Sequence, residues 1–244
     1  MHTSTINSVS RLNTDDGLGL PLKRLRLSGS AGVELWLASP CSTGAIAELL
    51  GNTLAESEKE RADCFLRPED RALSIVTRGS LRCLLSEATG IAPDKILLAE
   101  GPFGKPYLCG LRGPHFNVSH SGSFALIGLS DSRPIGVDIE RMRVTGDELN
   151  VARSYFSATE YRALQGLWKD ARLSSFFKIW TCKEAVLKAC GAGISEHLKD
   201  FSVELTTDGF AVHPEPHWFA PALASVSAKP VEVPPGYVGC YALA

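Results

Sequence analysis

Two short stretches of opposite periodicity constrain this chain more than any other feature. The first, Pro134-Ile135-Gly136-Val137-Asp138-Ile139-Glu140, alternates apolar and acidic side chains. That is the period of a strand, so Asp138 and Glu140 share one of its faces. The second, Trp180-Thr181-Cys182-Lys183-Glu184-Ala185-Val186-Leu187-Lys188, has helical spacing and is followed by Gly191 and Gly193. Glu184 and Lys188 are four apart and lie on one helix face. If the strand and the helix meet, three carboxylates surround a small cavity with a lysine ammonium beside them. Hard oxygen ligands of this kind suit Mg²⁺, which keeps some waters and takes substrate phosphates as its remaining ligands.

The rest of the chain says what such a site would sit in. At 244 residues it is one large domain or two modest ones, with length enough for a real core. A net charge of -2 gives no global basic field and argues against nucleic acid. The seven cysteines are scattered, with no CxxC pair, which reads as reduced thiols in a cytoplasm rather than a disulfide framework. No apolar run approaches the roughly 20 residues a bilayer requires, so no membrane association is expected. Residues 1–30 are polar, carry the small basic cluster Lys23, Arg24 and Arg26, and read as a partly disordered extension.

Periodicity predicts strands at 33–37, 96–99, 116–119, 124–130, 136–140, 201–205, 222–227 and 237–243. It predicts helices at 55–65, 71–88, 148–155, 157–168 and 174–190, the second stopped by Gly90 and Pro93. Residues 65–73 match 156–164 at five of nine positions, each opening a helix. A duplicated α+β unit follows, divided into halves 31–133 and 134–244, with its site at the junction, where ligand sites are favoured.

Each motif also has a bland reading. Asp-x-Glu is what a solvated strand face looks like, and Glu184 with Lys188 matches a surface ion pair worth about 0.2–0.5 kcal/mol. Asn117-Val118-Ser119-His120-Ser121-Gly122 reads as a polar loop where a strand gives way to a turn. His120 is either a structural histidine or a donor to a terminal phosphate. Lys105, between Gly104 and Pro106, is a lysine on a rigid turn that points at an anion. Arg61 and Arg71 read most simply as solvated helix residues.

Taken in order, these pieces closely resemble the Sfp-type 4′-phosphopantetheinyl transferases. The resemblance is carried by Gly104-Lys105-Pro106, Phe116-Asn117-Val118-Ser119-His120-Ser121-Gly122, Gly136-Val137-Asp138-Ile139-Glu140, Phe156-Ser157-x-x-Glu160 and Trp180-x-x-Lys183-Glu184-Ala185-x-x-Lys188-x-x-Gly191-x-Gly193. It implies an α+β fold of two pseudo-symmetric halves in one monomeric chain. The implied enzyme transfers the phosphopantetheine arm of coenzyme A to a serine of an acyl, peptidyl or aryl carrier protein and releases adenosine 3′,5′-bisphosphate.

By the same resemblance Asp138, Glu140 and Glu184 are the Mg²⁺ ligands, with Glu184 also the general base, and Lys188 contacts the pyrophosphate. Arg61, Ser74, Lys105, Pro106, Ser119, His120 and Lys183 join Lys188 in holding coenzyme A. Glu160 falls at a further acidic position near the metal. The long form usually tolerates several carriers, which points toward secondary metabolism. Leu73 stands where the family often has a basic residue and Glu58 where some members have lysine, which weakens the grip on the 3′-phosphate unless Lys59, Arg71 or Arg78 substitutes. Two competing readings are a relative that binds without transferring and an unrelated Mg²⁺-dependent nucleotide enzyme. Metal-dependent turnover on a carrier protein separates all three.

Overall fold

Alternation along the strands decides the layering. The computed structural model describes residues 22–27, 32–39, 44–215 and 225–244. In its first sheet β2 (Val33–Ala38) and β6 (Phe124–Ser130) pair antiparallel between β1 (Leu22–Leu25) and β5 (His115–Ser121), in the order β1-β2-β6-β5. Trp36, Ala125 and Ile127 face a long helix, α3 (Pro68–Thr89), and pack on its Leu73, Val76, Leu81 and Leu85. The alternate residues Leu35, Leu37 and Leu126 face the other way, against Ile135, Val137 and Ile139 of β7 (Ile135–Arg141).

β7 belongs to the second antiparallel sheet, which also holds β8 (Phe201–Thr206), β9 (Gly209–Pro214), β10 (Ser227–Val231) and β11 (Tyr237–Leu243) in the order β7-β11-β10-β9-β8. Its far face is covered by α6 (Lys169–Cys190) through Cys182, Ala185, Val186 and Ala189. The result is four layers, helix, sheet, sheet and helix. Both sheets spend one face on a helix and the other on each other, so the inner strands β2, β6 and β11 are largely buried on both sides.

The two halves repeat a specific device. α3 and α6 each have 22 residues and each closes on a left-handed glycine, Gly90 at φ 74° and Gly191 at φ 68°. A short helix precedes each, after α1 (Gly44–Gly51) in the first half and α4 (Glu148–Tyr155) in the second. In the first half it is α2 (Glu56–Asp63), where Glu58 accepts the Ala55 N–H at 2.9 Å and the Nε–H of Arg82 at 2.6 Å. In the second it is α5 (Ala158–Gln165), where Glu160 accepts the Ser157 N–H at 2.7 Å and faces the Lys183 ammonium at 3.0 Å.

Arg82 and Lys183 hold the same position in the two long helices, and each reaches carbonyls just past its helix end. Arg82 donates to Pro93 O at 2.7 Å and Ile96 O at 3.0 Å. Lys183 donates to Leu198 O at 2.7 Å and to Phe201 O. The true repeat therefore pairs α2 with α5 and α3 with α6. The sequence match of 65–73 with 156–164 is one helix out of register, because amphipathic helix starts resemble one another whatever their place in a fold.

Three further expectations are corrected. Residues 22–25 of the supposed extension form a strand paired with β2, where Arg24 meets Glu34 at 2.5 Å and lies over the Trp36 ring; residues 1–21 and 28–30 lie outside the described residues. Asn117 to Ser121 lie within β5, and the turn begins only at Gly122, at φ 56°. Residues 222–224 also fall outside the described residues, and the strand predicted there begins at Ser227. The pieces that periodicity missed are short or lie at edges: α1, β9 and β4 (Pro106–Leu108), which forms a ribbon with β3 (Leu98–Glu100), the strand predicted at 96–99.

Removing one member of a buried charge pair leaves the other uncompensated, at about 3–5 kcal/mol. Arg82→Met and Lys183→Met are each expected to lower unfolding free energy by about that amount in urea titrations. A loss within error in either variant would refute the paired device.

Candidate active site

One close approach sets the geometry. At Gly136 in β7 a Cβ would fall 2.0 Å from Ala185 O and 2.3 Å from Ala189 N, so α6 lies directly on the strand backbone. Asp138, on the same strand face, is thereby brought against the helix face that carries Glu184 and Lys188. The Lys188 ammonium bridges the two carboxylates, 2.6 Å from Asp138 Oδ1 and 3.1 Å from Glu184 Oε2.

The first sheet supplies the third wall. Ser119 Oγ donates to Asp138 Oδ1 at 2.7 Å and accepts from Lys188 Nζ at 3.2 Å. Ser121 Oγ donates to Glu140 Oε2 at 2.6 Å and accepts the Arg141 N–H at 3.1 Å. Asn117 Oδ1 accepts the Val137 N–H at 2.9 Å. These three alternate along β5, so one polar strand face stitches the first sheet to β7 by side-chain bonds in place of a backbone ladder. Asn117 and Ser121 were not among the residues predicted for the site. Their spacing around Ser119 was the available signal, hidden by reading the segment as a loop.

The electrostatics are those of a site short of positive charge. Burial, and then the charge of Asp138, push the Glu184 carboxyl up to about 7. Burial also raises Glu140, against the opposing hydrogen bond from Ser121. Burial alone would draw the Lys188 ammonium down, but Asp138 and Glu184 outweigh it and the net shift is upward. Asp138 is 1% exposed, and its Oδ2 is buried with no hydrogen-bond partner.

Three carboxylates against one ammonium, with an orphaned carboxylate oxygen, fit a hard divalent cation. Among the described residues no group of three or more His, Cys, Asp and Glu is arranged to hold a metal ion as the side chains stand. Lys188 stands between Asp138 and Glu184. Beside this cluster opens a cavity of about 450 Å³ between the halves, walled by Phe103, Pro106, Asn117, Lys188, Gly193 and Glu196.

The structure thus brings Asp138, Glu140, Glu184, Lys188 and Ser119 together, and sets Pro106 on the cavity wall. Lys183 is corrected: it is fully buried on another face of α6, and Glu160 and backbone carbonyls occupy it. Glu160 is corrected with it. Its oxygens accept the Ser157 and Val203 N–H groups and face Lys183, so it serves as a helix cap and a strand anchor.

Lys105 is corrected as well. Its ammonium turns onto the carbonyls of Ile135, Lys188 and Ala189 rather than toward an anion, and burial pushes it down to about 8. Ser119 faces the carboxylates, whereas His120, its neighbour on the opposite strand face, is exposed. Arg61 on α2 is exposed, 3.8 Å from Glu100, and Ser74 is half-buried on α3. Glu58, flagged as a weak point, is held by Arg78 at 3.1 Å and by Arg82.

Comparison with known proteins covers both halves. The profile of the "4'-phosphopantetheinyl transferase superfamily" matches residues 134–225, and that of "4'-phosphopantetheinyl transferase, N-terminal" matches residues 40–131. The chain is 36% identical to 4'-phosphopantetheinyl transferase HetI of Nostoc sp. over 76% of its own length and 80% of the relative's. It is 34% identical to 4'-phosphopantetheinyl transferase ffp of Bacillus subtilis, over 83% and 87%. It is 32% identical to 4'-phosphopantetheinyl transferase Sfp of Bacillus subtilis, over 75% and 79%. With both halves matched and the carboxylates of the second gathered at their junction, the chain belongs to the Sfp-type 4′-phosphopantetheinyl transferases and is an enzyme of that family, with coenzyme A as its substrate.

Proposed function

We propose that this enzyme moves the phosphopantetheine arm of coenzyme A onto a serine hydroxyl of an acyl, peptidyl or aryl carrier protein, in a Mg²⁺-dependent reaction that releases adenosine 3′,5′-bisphosphate. The observation that carries this reading is the buried Asp138–Lys188–Glu184 bridge beside the inter-half cavity, with Asp138 Oδ2 left unpartnered. Asp138, Glu140 and Glu184 would hold Mg²⁺, whose charge, when it is bound, offsets that of the pyrophosphate and stabilises the leaving diphosphate end.

The remaining chemistry belongs to the chain itself. A new P–O bond forms to the serine oxygen as the bond to the bridging pyrophosphate oxygen breaks, and the hydroxyl proton has to leave. Glu184, whose carboxyl burial and Asp138 push up to about 7 before any cation binds, is the group placed to take that proton directly or through water. Lys188 faces the cavity and would meet the pyrophosphate oxygens as charge develops on them. Ser119 holds Asp138 in orientation. Arg61, Ser74 and His120, with Arg78 behind Arg61, would hold the adenosine and its 3′-phosphate, while Pro106 shapes the cavity wall.

The chain brings no nucleophile, because the attacking hydroxyl arrives on the partner, so catalysis is positioning plus electrostatics. One chain carries both halves of the site, which fits a monomer. The partner is expected to be a small acidic helical domain with its serine at a helix start, docked in a salt-sensitive way. Among the described residues no helix is long and apolar enough to cross a membrane.

The direct test is intact-mass analysis of apo carrier proteins mixed with this enzyme and coenzyme A, with Mg²⁺ or with EDTA. A gain of one phosphopantetheine group, about 340 Da, seen only with Mg²⁺, is expected; transfer at full rate in EDTA would refute the metal's role. Glu184→Gln and Asp138→Asn should each cost at least about 10²–10³-fold in kcat, and undiminished turnover in either would remove these carboxylates from the mechanism. His120→Ala should chiefly raise the KM for coenzyme A. A fall in kcat at constant KM would reject its place in binding.

A further inference from the structure

We propose that Lys105 is a positioning residue of the transfer reaction, a strut from the first half that fixes Lys188 against Asp138 by capping the backbone of the two elements that carry them. The inference rests on the reading of those two residues given above. Lys105 sits in the tight turn between β3 and β4. There Gly104 adopts φ 74° and donates its N–H to Gly101 O at 3.0 Å, and Gly101 donates to Lys105 O at 2.9 Å. The turn thus fixes where the lysine stem leaves the backbone, and Pro106 prevents the chain from adjusting on the other side.

From that base the ammonium reaches across the junction. It donates to Lys188 O at 2.6 Å, to Ile135 O at 3.0 Å and, at the limit of hydrogen-bond reach, to Ala189 O at 3.5 Å. Lys188 and Ala189 lie in the last turn of α6, whose carbonyls have no helical partner and carry the negative end of the helix dipole. Gly191 and Ala192 return their N–H groups mainly to Leu187 O, and Lys188 O receives only a long 3.3 Å bond from Gly191. Ile135 is the first residue of β7.

The cation therefore closes the angle between the end of α6 and the start of β7, next to the Gly136 contact. An ammonium has three donors and no acceptor, and three carbonyls take them. This arrangement leaves Lys105 no donor for a phosphate. It makes the first half a mechanical part of a site whose carboxylates all belong to the second.

The test compares Lys105→Met, which keeps the apolar stem, and Lys105→Arg, which keeps the donors, with the wild type. Each is assayed with coenzyme A and with 3′-dephospho-coenzyme A. Amide hydrogen exchange is measured at 187–190 in the enzyme alone. The strut predicts that Lys105→Met loses about 10–100-fold in kcat with both co-substrates, within the cost of an ångström-scale misplacement. KM should stay within about threefold in each case. Exchange at 187–190 should quicken, and the arginine variant should recover most of both effects.

A KM increase confined to coenzyme A would overturn the proposal, since it would make Lys105 a 3′-phosphate ligand. So would a lower Tm with kcat and exchange at 187–190 unchanged, which is a merely structural role. If Lys105→Met does not fold, Lys105→Gln, which keeps two donors, is read by the same quantities. Should the wild type transfer nothing to any carrier, the functional reading fails by itself. The exchange rates at 187–190 still decide whether Lys105 holds the end of α6.

Discussion

The contact of α6 with β7 at Gly136 governs everything built around it. Only a residue without a Cβ lets helix and strand backbones meet, and that closeness places the Asp138 carboxylate within ion-pair distance of a lysine on the helix. Once the two elements touch, Asp138, Glu140 and Glu184 are held near one another with little water to screen them. Burial first, and then the field so made, raises Glu184 and Glu140, while that field keeps Lys188 charged against its own burial. Such a cluster is costly in a folded core unless a cation completes it. The chain accepts that cost at the junction of its two halves, where the proposed metal and pyrophosphate would be received.

The support for this contact comes from polar groups as much as apolar ones. Glu58 with Arg82 and Glu160 with Lys183 tie each long helix to the short helix before it and to the carbonyls beyond its end. The duplication shows what the two halves share and what they do not. The residues of α3 that correspond to Glu184 and Lys188 are Cys83 and Glu87, and burial pushes the Cys83 thiol up to about 11. One half thus kept the scaffold device without the acidic site. It contributes instead the serines of β5, the Lys105 turn and one wall of the cavity.

Much of the fold was legible wherever a period repeated long enough to be counted. The strands 124–130 and 237–243 and the helix Glu148–Tyr155 stand where periodicity put them. What escaped was short or carried by an edge: β1 inside a polar leader, the eight residues of α1, and β9. The carboxylate cluster was readable because strand and helix periods place Asp138, Glu140, Glu184 and Lys188 on particular faces. The destinations of Lys105, Lys183 and Glu160 were not, because a long side chain is placed by what lies across the fold. A lysine that caps carbonyls looks identical in sequence to one that binds a phosphate.

By itself, then, the sequence determined an α+β chain with a strand presenting two acids, a helix presenting an acid and an amine, and a turn stiffened around a lysine. These are local properties, set by backbone periodicity and by the conformational limits of glycine and proline. The tertiary structure decided which charges meet. It turned Lys188 into the bridge between Asp138 and Glu184, buried Lys183 against Glu160, and sent Lys105 across the junction to the end of α6. The reason is one of range: hydrogen bonds and ion pairs act over a few ångströms, and only the packing of two sheets and two long helices brings residues so distant in the chain that close.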